Sequence, residues 1–203
     1  MLRVERSELI RARGLAKRYG RKRVLQGVDL DVAAGELLLV TGPNGSGKTT
    51  LLRLLAGLAA PSSGELSHAI EREQVGFLGH DPLVYRELSA LENLELFGRL
   101  YRIRERGERI GMLLERYGLW DARHERVAGY SRGMQQRLGL CRALLHDPAL
   151  LVLDEPFTSL DGAGAELLDR ELAEARARDR ALVVATHDPE RLAALATGRL
   201  ALA

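Results

Sequence analysis

One cysteine, three lysines, one tryptophan and an aromatic share of 4% are all the 203 residues contain of those types. The lone Cys141 excludes an intrachain disulfide, and its place in a Leu-rich helical pattern reads as a buried, inert thiol. No apolar run approaches the roughly 18 residues of a membrane span. The charged start, Met1 to Glu8, lacks the apolar core of a signal peptide. The expectation is a cytoplasmic chain that meets a membrane only through a partner. A net charge of +2 is too small to argue for nucleic acid. Lys17, Lys22 and Lys48 are the only lysines among thirty basic residues, a bias that points to no function. Repeats and low-complexity segments are also missing. What remains is ordinary globular usage, 46% apolar and 29% charged, in a length that suits one domain with an inserted subdomain.

Between an apolar run, Glu36 to Val40, and a Leu-rich run, Leu51 to Leu58, stands Gly42-Pro43-Asn44-Gly45-Ser46-Gly47-Lys48-Thr49-Thr50. This is the spacing of a phosphate-binding P-loop. Gly42, Gly45 and Gly47 allow the backbone to turn its N–H groups inward, and the following helix offers its unpaired first N–H groups to the same anion. A helix terminus contributes only about 0.3 to 1 kcal/mol toward an anion. Lys48 is therefore needed as a point charge on the terminal phosphates, and Thr49 would turn its hydroxyl to Mg²⁺. The alternative, a glycine-rich turn that binds nothing, is disfavoured by the strand pattern before the loop and the helix pattern after it.

Taken in order, residues 9 to 40 predict short strands: Leu9 to Arg13, Val24 to Val32 and Leu37 to Val40. Tyr19-Gly20 lies in the basic turn Lys17 to Arg23, where the ring is either half-buried or a platform for a purine. Gly57 and Pro61 stop the helix after the P-loop. Pro61 to Gly64 reads as a turn, followed by a short polar segment and a buried strand, Val75 to Leu78. Residues 81 to about 128 read as a helical insertion: a first helix through Leu88, Leu91, Leu94 and Leu96, the Arg-rich stretch Arg99 to Arg109, and a helix from Ile110 to Leu119 closed by Gly118. The interleaved Glu105 and Glu108 make the arginines a solvated face rather than a nucleic-acid patch. Ser131 is placed as the N-cap of a helix whose apolar face includes Met134, Leu138, Cys141 and Leu145.

Leu150 to Asp154 is an apolar strand ending in Asp154-Glu155. A central parallel strand is apolar on both faces, so acids emerge only at its C-terminal end, where open α/β sheets place ligands. A helix from Ala163 to Arg180 follows, and then a last buried strand, Ala181 to Ala185, that delivers Thr186-His187-Asp188. The chain ends soon after, with no room expected for a regulatory domain. Singly, the acids could be a strand-end turn and His187 a core histidine; with the P-loop and in this order they form one constellation.

Over essentially its whole length the chain resembles the nucleotide-binding subunit of ATP-binding-cassette (ABC) transporters. Gly42 to Thr50 resembles that family's Walker A motif, Leu150 to Asp154 its Walker B, and Ser131 to Gln135 its signature motif. By the same resemblance Glu155 matches the catalytic glutamate, Ser159 to Asp161 the D-loop, His187 the switch histidine, and Tyr19 the adenine-stacking aromatic. Two positions depart from the family pattern: Arg132 precedes Gly133 where paired glycines are usual, and His80 stands where glutamine is usual. The context Phe77 to Pro82, with Leu88 to Leu94, is similar to the haem-exporter ATPases of bacterial cytochrome c maturation; generic drug or lipid exporters share much of it.

The resemblance implies an α/β P-loop NTPase core with a mostly parallel sheet flanked by helices, an N-terminal antiparallel portion and an inserted helical subdomain, with 1–80 and 129–203 as core and 81–128 as the insertion. It implies an ATPase using ATP and Mg²⁺: Lys48 on the phosphates, Thr49 and Asp154 with His80 toward the metal, Glu155 on the attacking water, and His187 on the γ-phosphate. Ser131, Gly133 and Asp161 would serve the nucleotide of the opposite subunit in a head-to-tail dimer, homomeric or pseudo-symmetric. The partners implied are integral membrane permease subunits, which put the chain on the cytoplasmic face of the membrane, with no nucleic acid. A soluble ABC protein acting on DNA or ribosomes, or a P-loop small-molecule kinase, would be the competing readings.

Overall fold

The computed structural model of the protein describes residues 7–203; the signal-peptide reading of the N-terminus falls largely on residues outside these. The elements run β1 (Glu8–Tyr19), β2 (Lys22–Ala33), β3 (Leu37–Thr41), α1 (Lys48–Leu55), β4 (Ser63–His68), β5 (Val75–Leu78), α2 (Ala90–Leu100), α3 (Arg106–Arg116), α4 (Arg132–Leu144), β6 (Leu150–Asp154), α5 (Gly162–Ala177), β7 (Ala181–Ala185) and β8 (Gly198–Ala201). β2, β1 and β4 form an antiparallel sheet, and β5, β6, β7, β3 and β8 lie in that order in a second sheet whose pairs are all parallel.

The central strands are buried at every residue in β6 and β7, as continuous apolar runs of Leu, Val and Ala require when both faces are covered. On one face α1 lies between the two sheets. Leu51, Leu52, Leu54 and Leu55 are all fully buried, packed in one cluster with Ile10, Leu15 and Val32 of the antiparallel sheet and Val152 and Val183 of the parallel one. The four leucines make the broad apolar face of α1 while Arg53 stays exposed, and each leucine so buried contributes about 1.5 to 3 kcal/mol. On the other face α4 packs with α2, α3 and α5, joining Leu94, Ile110, Leu114, Leu138, Cys141 and Leu168. Cys141 is fully buried, and burial pushes its thiol pKa well up.

The fold class expected from sequence is the one observed, with corrections in detail. β4 occupies residues read as a turn and a polar segment: it is an edge strand of Ser, Gly, Glu and His, mostly exposed, that pairs only with β1, so it carries no burial alternation to read. β8, likewise an edge strand with half its residues exposed, was not expected at all. The helix expected over Ile110 to Leu119 begins earlier: α2 ends at Leu100, Arg102 in the Arg-rich stretch takes a left-handed backbone (φ 55°), and α3 runs from Arg106 to Arg116. Within the Leu-rich run Leu51 to Leu58, α1 stops at Leu55 and Gly57 turns the chain at φ 66°. β1 continues to Tyr19 rather than ending at Arg13. α2 and α3 both fall within 81–128, a segment holding no strand.

Candidate functional site

The P-loop joins the end of β3 to the start of α1, so it sits at the C-terminal edge of the parallel sheet. Gly47 precedes α1 in a left-handed conformation (φ 101°) without a side-chain cap. The first N–H groups of α1 therefore have no side-chain partner from that position, as an anion site needs. Gly42 is obligatory for a second reason: a Cβ there would stand 2.4 Å from the Leu202 carbonyl oxygen and 2.7 Å from Ser46 Oγ. Ser46 Oγ is buried and has no hydrogen-bond partner, an orphaned polar atom inside the cradle. Lys48 folds back, donating from Nζ to the carbonyls of Gly42 (2.7 Å) and Pro43 (3.1 Å).

Two neighbouring strands bring the remaining groups to the same edge. Asp154 ends β6, is 2% exposed, and accepts a 2.6 Å hydrogen bond from Thr49 Oγ1. Glu155 follows with a left-handed backbone (φ 51°), its N–H donating to the Ala185 carbonyl of β7. That strained turn aims its carboxylate across to the segment after β7. There Glu155 Oε2 accepts from the backbone N–H of His187 (3.2 Å) and from its ring Nδ1 (2.7 Å). Thr186 is buried and accepts from the Asp188 N–H, which holds the turn carrying the largely exposed His187.

A cleft of about 760 Å³ collects Tyr19, Asn44, Gly45, Gly47, Lys48, Thr49, Thr50, His80, Asp154, Glu155 and His187. Tyr19 is half exposed there, with Lys17 Nζ 5.2 Å from its ring centre. Gly42, Pro43 and Ser46 do not line it. Lys22, Val24 and Thr158 also line the cleft and were not singled out from sequence; the basic turn pointed to Lys22, but nothing in the local pattern distinguishes Thr158. Ser131, Gly133 and Asp161 do not line it. Ser131 Oγ caps α4 by accepting from the Met134 N–H (3.2 Å), and Asp161 Oδ1 caps α5 by accepting from Gly164 N–H (2.7 Å). Gly133 lets α4 approach the Ser159 carbonyl, where a Cβ would stand 2.8 Å from the oxygen.

The donor set fits a hard divalent cation. A hydroxyl and a carboxylate, Thr49 and Asp154, meet at the mouth of the loop, and Mg²⁺ characteristically takes few protein oxygens and completes its shell with water and phosphate. Among the described residues no group of three His, Cys, Asp or Glu side chains could hold a metal alone, so a ligand's phosphates would be part of the shell. His80 lines the cleft and also an adjoining cavity of about 290 Å³ with Arg132, Gln135, Gln136, Glu155 and Ser159.

A family model described as ABC transporter matches residues 25–158, spanning the loop, Asp154 and Glu155. The chain belongs to the ABC transporter family. This ABC ATP-binding domain is 39% identical over 189 residues to the uncharacterized ABC transporter ATP-binding protein YdbJ of Bacillus subtilis (strain 168), covering 88% of the chain and 61% of the relative. It is 44% identical over 168 residues to the daunorubicin resistance ATP-binding protein DrrA3 of Streptomyces coeruleorubidus, covering 77% and 53%. It is 37% identical over 188 residues to the cytochrome c biogenesis ATP-binding export protein CcmA 2 of Cupriavidus metallidurans (strain ATCC 43123 / DSM 2839 / NBRC 102507 / CH34), covering 88% and 89%. The chain thus spans about 61% of the YdbJ relative and 53% of the DrrA3 relative. The fold is that of an ATP-binding subunit of an ABC transporter (TM-score 0.89, 27% identity, 96% of this chain and 85% of that one). A dimeric ATP-binding cassette in a post-hydrolysis state with ADP and Pi superposes with a TM-score of 0.85 at 25% identity, covering 96% and 94%.

Proposed function

We propose that the ABC domain binds MgATP in the cleft over Gly42 to Thr50 and hydrolyses it to ADP and phosphate, powering export through separate membrane subunits on the cytoplasmic face of a membrane. The observation that carries this is the convergence of Lys48, Thr49, Asp154, Glu155 and His187 on one sheet edge, tied together by the hydrogen bonds Thr49–Asp154 and Glu155–His187.

Charge decides the roles. Phosphoryl transfer asks the protein to position reactants and stabilise charge on the γ-phosphoryl oxygens. The α1 N–H groups, Ser46 and the other loop residues cradle the phosphates, and Lys48 exchanges the Gly42 and Pro43 carbonyls for the terminal phosphates. Tyr19 stacks on the adenine. Thr49 and Asp154 hold Mg²⁺, with His80 facing the same region; the metal, when bound, neutralises charge on the β- and γ-phosphates. Glu155 orients and polarises the attacking water. His187, held by Glu155 through Nδ1, keeps Nε2 for the γ-phosphate.

Ser131, Gly133 and Asp161 are read as acting on a second copy's nucleotide, in keeping with their place outside the cleft and with the likeness to a dimeric cassette. Residues 81–128 act as the helical subdomain linking this site to the membrane subunits. The exported molecule is read as a drug-like or lipid-like compound, by the 44% identity to a daunorubicin resistance protein. The His80 context and the CcmA relative favour a second reading, haem export for cytochrome c biogenesis.

The deciding measurement is the steady-state ATPase rate against protein concentration, wild type beside Glu155→Gln. A rate that rises faster than linearly and vanishes in the variant supports the shared-site enzyme. A strictly linear rate from a monomer overturns the dimer, and an undiminished rate in Glu155→Gln overturns the role of the glutamate. Deletion in the native host separates the cargo readings: loss of c-type cytochromes points to haem, and drug sensitivity without that loss points to a drug-like cargo.

A further inference from the structure

The three lysines of this arginine-rich chain gather in one place, although their number alone pointed to nothing. Lys22 and Lys48 line the nucleotide cleft. Lys17 stands beside it, its Nζ donating to the Ala60 carbonyl (2.6 Å) and lying 5.2 Å from the centre of the Tyr19 ring. Every other basic residue is an arginine. Two of the three ammonium groups are engaged, Lys17 on Ala60 and Lys48 on the carbonyls of its own loop. The carboxylates of the cleft are engaged as well, Asp154 with Thr49 and Glu155 with His187. Lys22 is exposed, and among the described residues its ammonium enters no hydrogen bond or ion pair. Arg18, Arg21 and Arg23 share its turn, yet none of them lines the cleft.

Strand geometry fixes where along the cleft Lys22 stands. It opens β2 directly opposite Tyr19, the last residue of β1. Val24, two residues on and so on the same face of the strand, also lines the cleft. There β2 runs against the last glycine of the P-loop: a Cβ on Gly47 would stand 2.8 Å from both the Val24 carbonyl oxygen and Leu25 Cδ2. The groups along this wall therefore follow in the order Tyr19, Lys22, Val24, Gly47. A nucleotide with its base on Tyr19 and its terminal phosphates over Gly47 and Lys48 passes Lys22 with its ribose and α-phosphate. An ammonium is a compact cation that only donates, and its charge-assisted bond to a phosphate oxygen is roughly twice as strong as a bond between neutral groups. Of the two neighbours, the phosphate is the stronger partner.

Resting on the reading that this cleft binds ATP, we infer that Lys22 is a further nucleotide-binding residue, whose ammonium contacts a non-bridging oxygen of the α-phosphate. ATP and ADP both carry that oxygen, so Lys22 holds either one and leaves the γ-phosphate to Lys48 and His187. The flexible lysine stem lets the charge follow a single oxygen, whereas the planar fork of an arginine suits two aligned acceptors.

The test is calorimetric titration of the purified chain, wild type beside Lys22→Gln, in the presence of Mg²⁺. The ligands are ADP and the two diastereomers of ADP that carry sulfur in place of one non-bridging α-oxygen. Lys22→Gln is expected to bind ADP about tenfold more weakly, the scale of a lost hydrogen bond to a charged group. Sulfur accepts from an ammonium more poorly than oxygen does, so wild type binds one diastereomer less tightly than the other, and this preference collapses in Lys22→Gln. Unchanged ADP affinity in the variant overturns the inference. A weakened affinity with the wild-type diastereomer preference intact also overturns it, by moving Lys22 to the ribose or the β-phosphate. A wild-type chain that binds no ADP sinks the reading of the cleft itself.

Discussion

The two groups of candidate site residues are held in opposite ways. On the sheet edge, Thr49 is bonded to Asp154, Glu155 to His187, and Lys48 to its own loop; the groups that would meet phosphate are already assembled. On the α4 face, Ser131 and Asp161 spend their oxygens on capping α4 and α5, and Gly133 only permits close approach to Ser159. The first group is tied together by hydrogen bonds among its own members, the second is bound into two helix ends. A preassembled half and a presenting half on one chain make sense together if the second completes another copy's first.

The largest expected effect probes the assembled half. Glu155→Gln keeps ATP binding and lowers phosphate release by about 100-fold or more, within the range of a lost general base, and leaves an ATP-locked dimer on size-exclusion chromatography. Near-normal release would break the comparison at its centre. Tyr19→Ala weakens ATP affinity by about 1 to 3 kcal/mol, the range for a base stacked on an aromatic ring; an unchanged calorimetric affinity would remove Tyr19 from the site. On the presenting side, Ser131→Ala leaves the ATP affinity of an isolated subunit unchanged, lowers turnover, and costs about 1 kcal/mol of stability as a lost cap. A loss of affinity equal to that of Tyr19→Ala would show that the two halves are one site within a single chain.

A pH effect sharpens the same division. His146, just beyond α4, stacks on Tyr101 (ring centres 4.0 Å, 16°) and bonds the Val75 carbonyl through Nε2 (3.2 Å). Burial, with Arg142 and Arg109 nearby, lowers its pKa from 6.5 to about 4 despite the Val75 bond and Asp147. The unfolded chain therefore binds a proton that the folded one refuses. Stability from this group is complete above about pH 6.5 and is lost as pH falls toward 4. The loss by pH 5 is on the order of 1 kcal/mol after allowance for its partial exposure. Thermal unfolding at pH 7 and pH 5 should show a smaller drop for His146→Gln than for wild type; equal drops would take His146 out of the balance.

Much of this was legible locally. Glycines at 42, 45 and 47, the apolar run ending in Asp154-Glu155, and Ser131 ahead of an apolar periodicity state their own conformations, because positive φ, two-sided burial and capping are properties of a few adjacent residues. β4 and β8 were not legible, because both are short edge strands with half or more of their residues exposed and carry no pattern. Thr158 reached the cleft without any signal of its own, whereas Lys22 was marked only by the basic turn around it. Arg142 read as one of many arginines; only the packing of α4 against Phe77, Pro82 and Phe97 separates it from the solvated ones.

By itself the sequence determined the P-loop, the acid pair at a buried strand's end, the helix that Ser131 opens, and the α/β class. Tertiary structure alone decided which of these meet. Thr49 and Asp154 lie 105 residues apart, and Glu155 and His187 lie 32 apart; they touch because β6 and β7 are neighbours and α1 packs on both. Periodicity encodes which face of an element is buried, whereas strand order is settled by which buried faces close against each other. The same closure put Ser131, Gly133 and Asp161 outside the cleft and enclosed Arg142 against the Phe77 and Pro82 carbonyls.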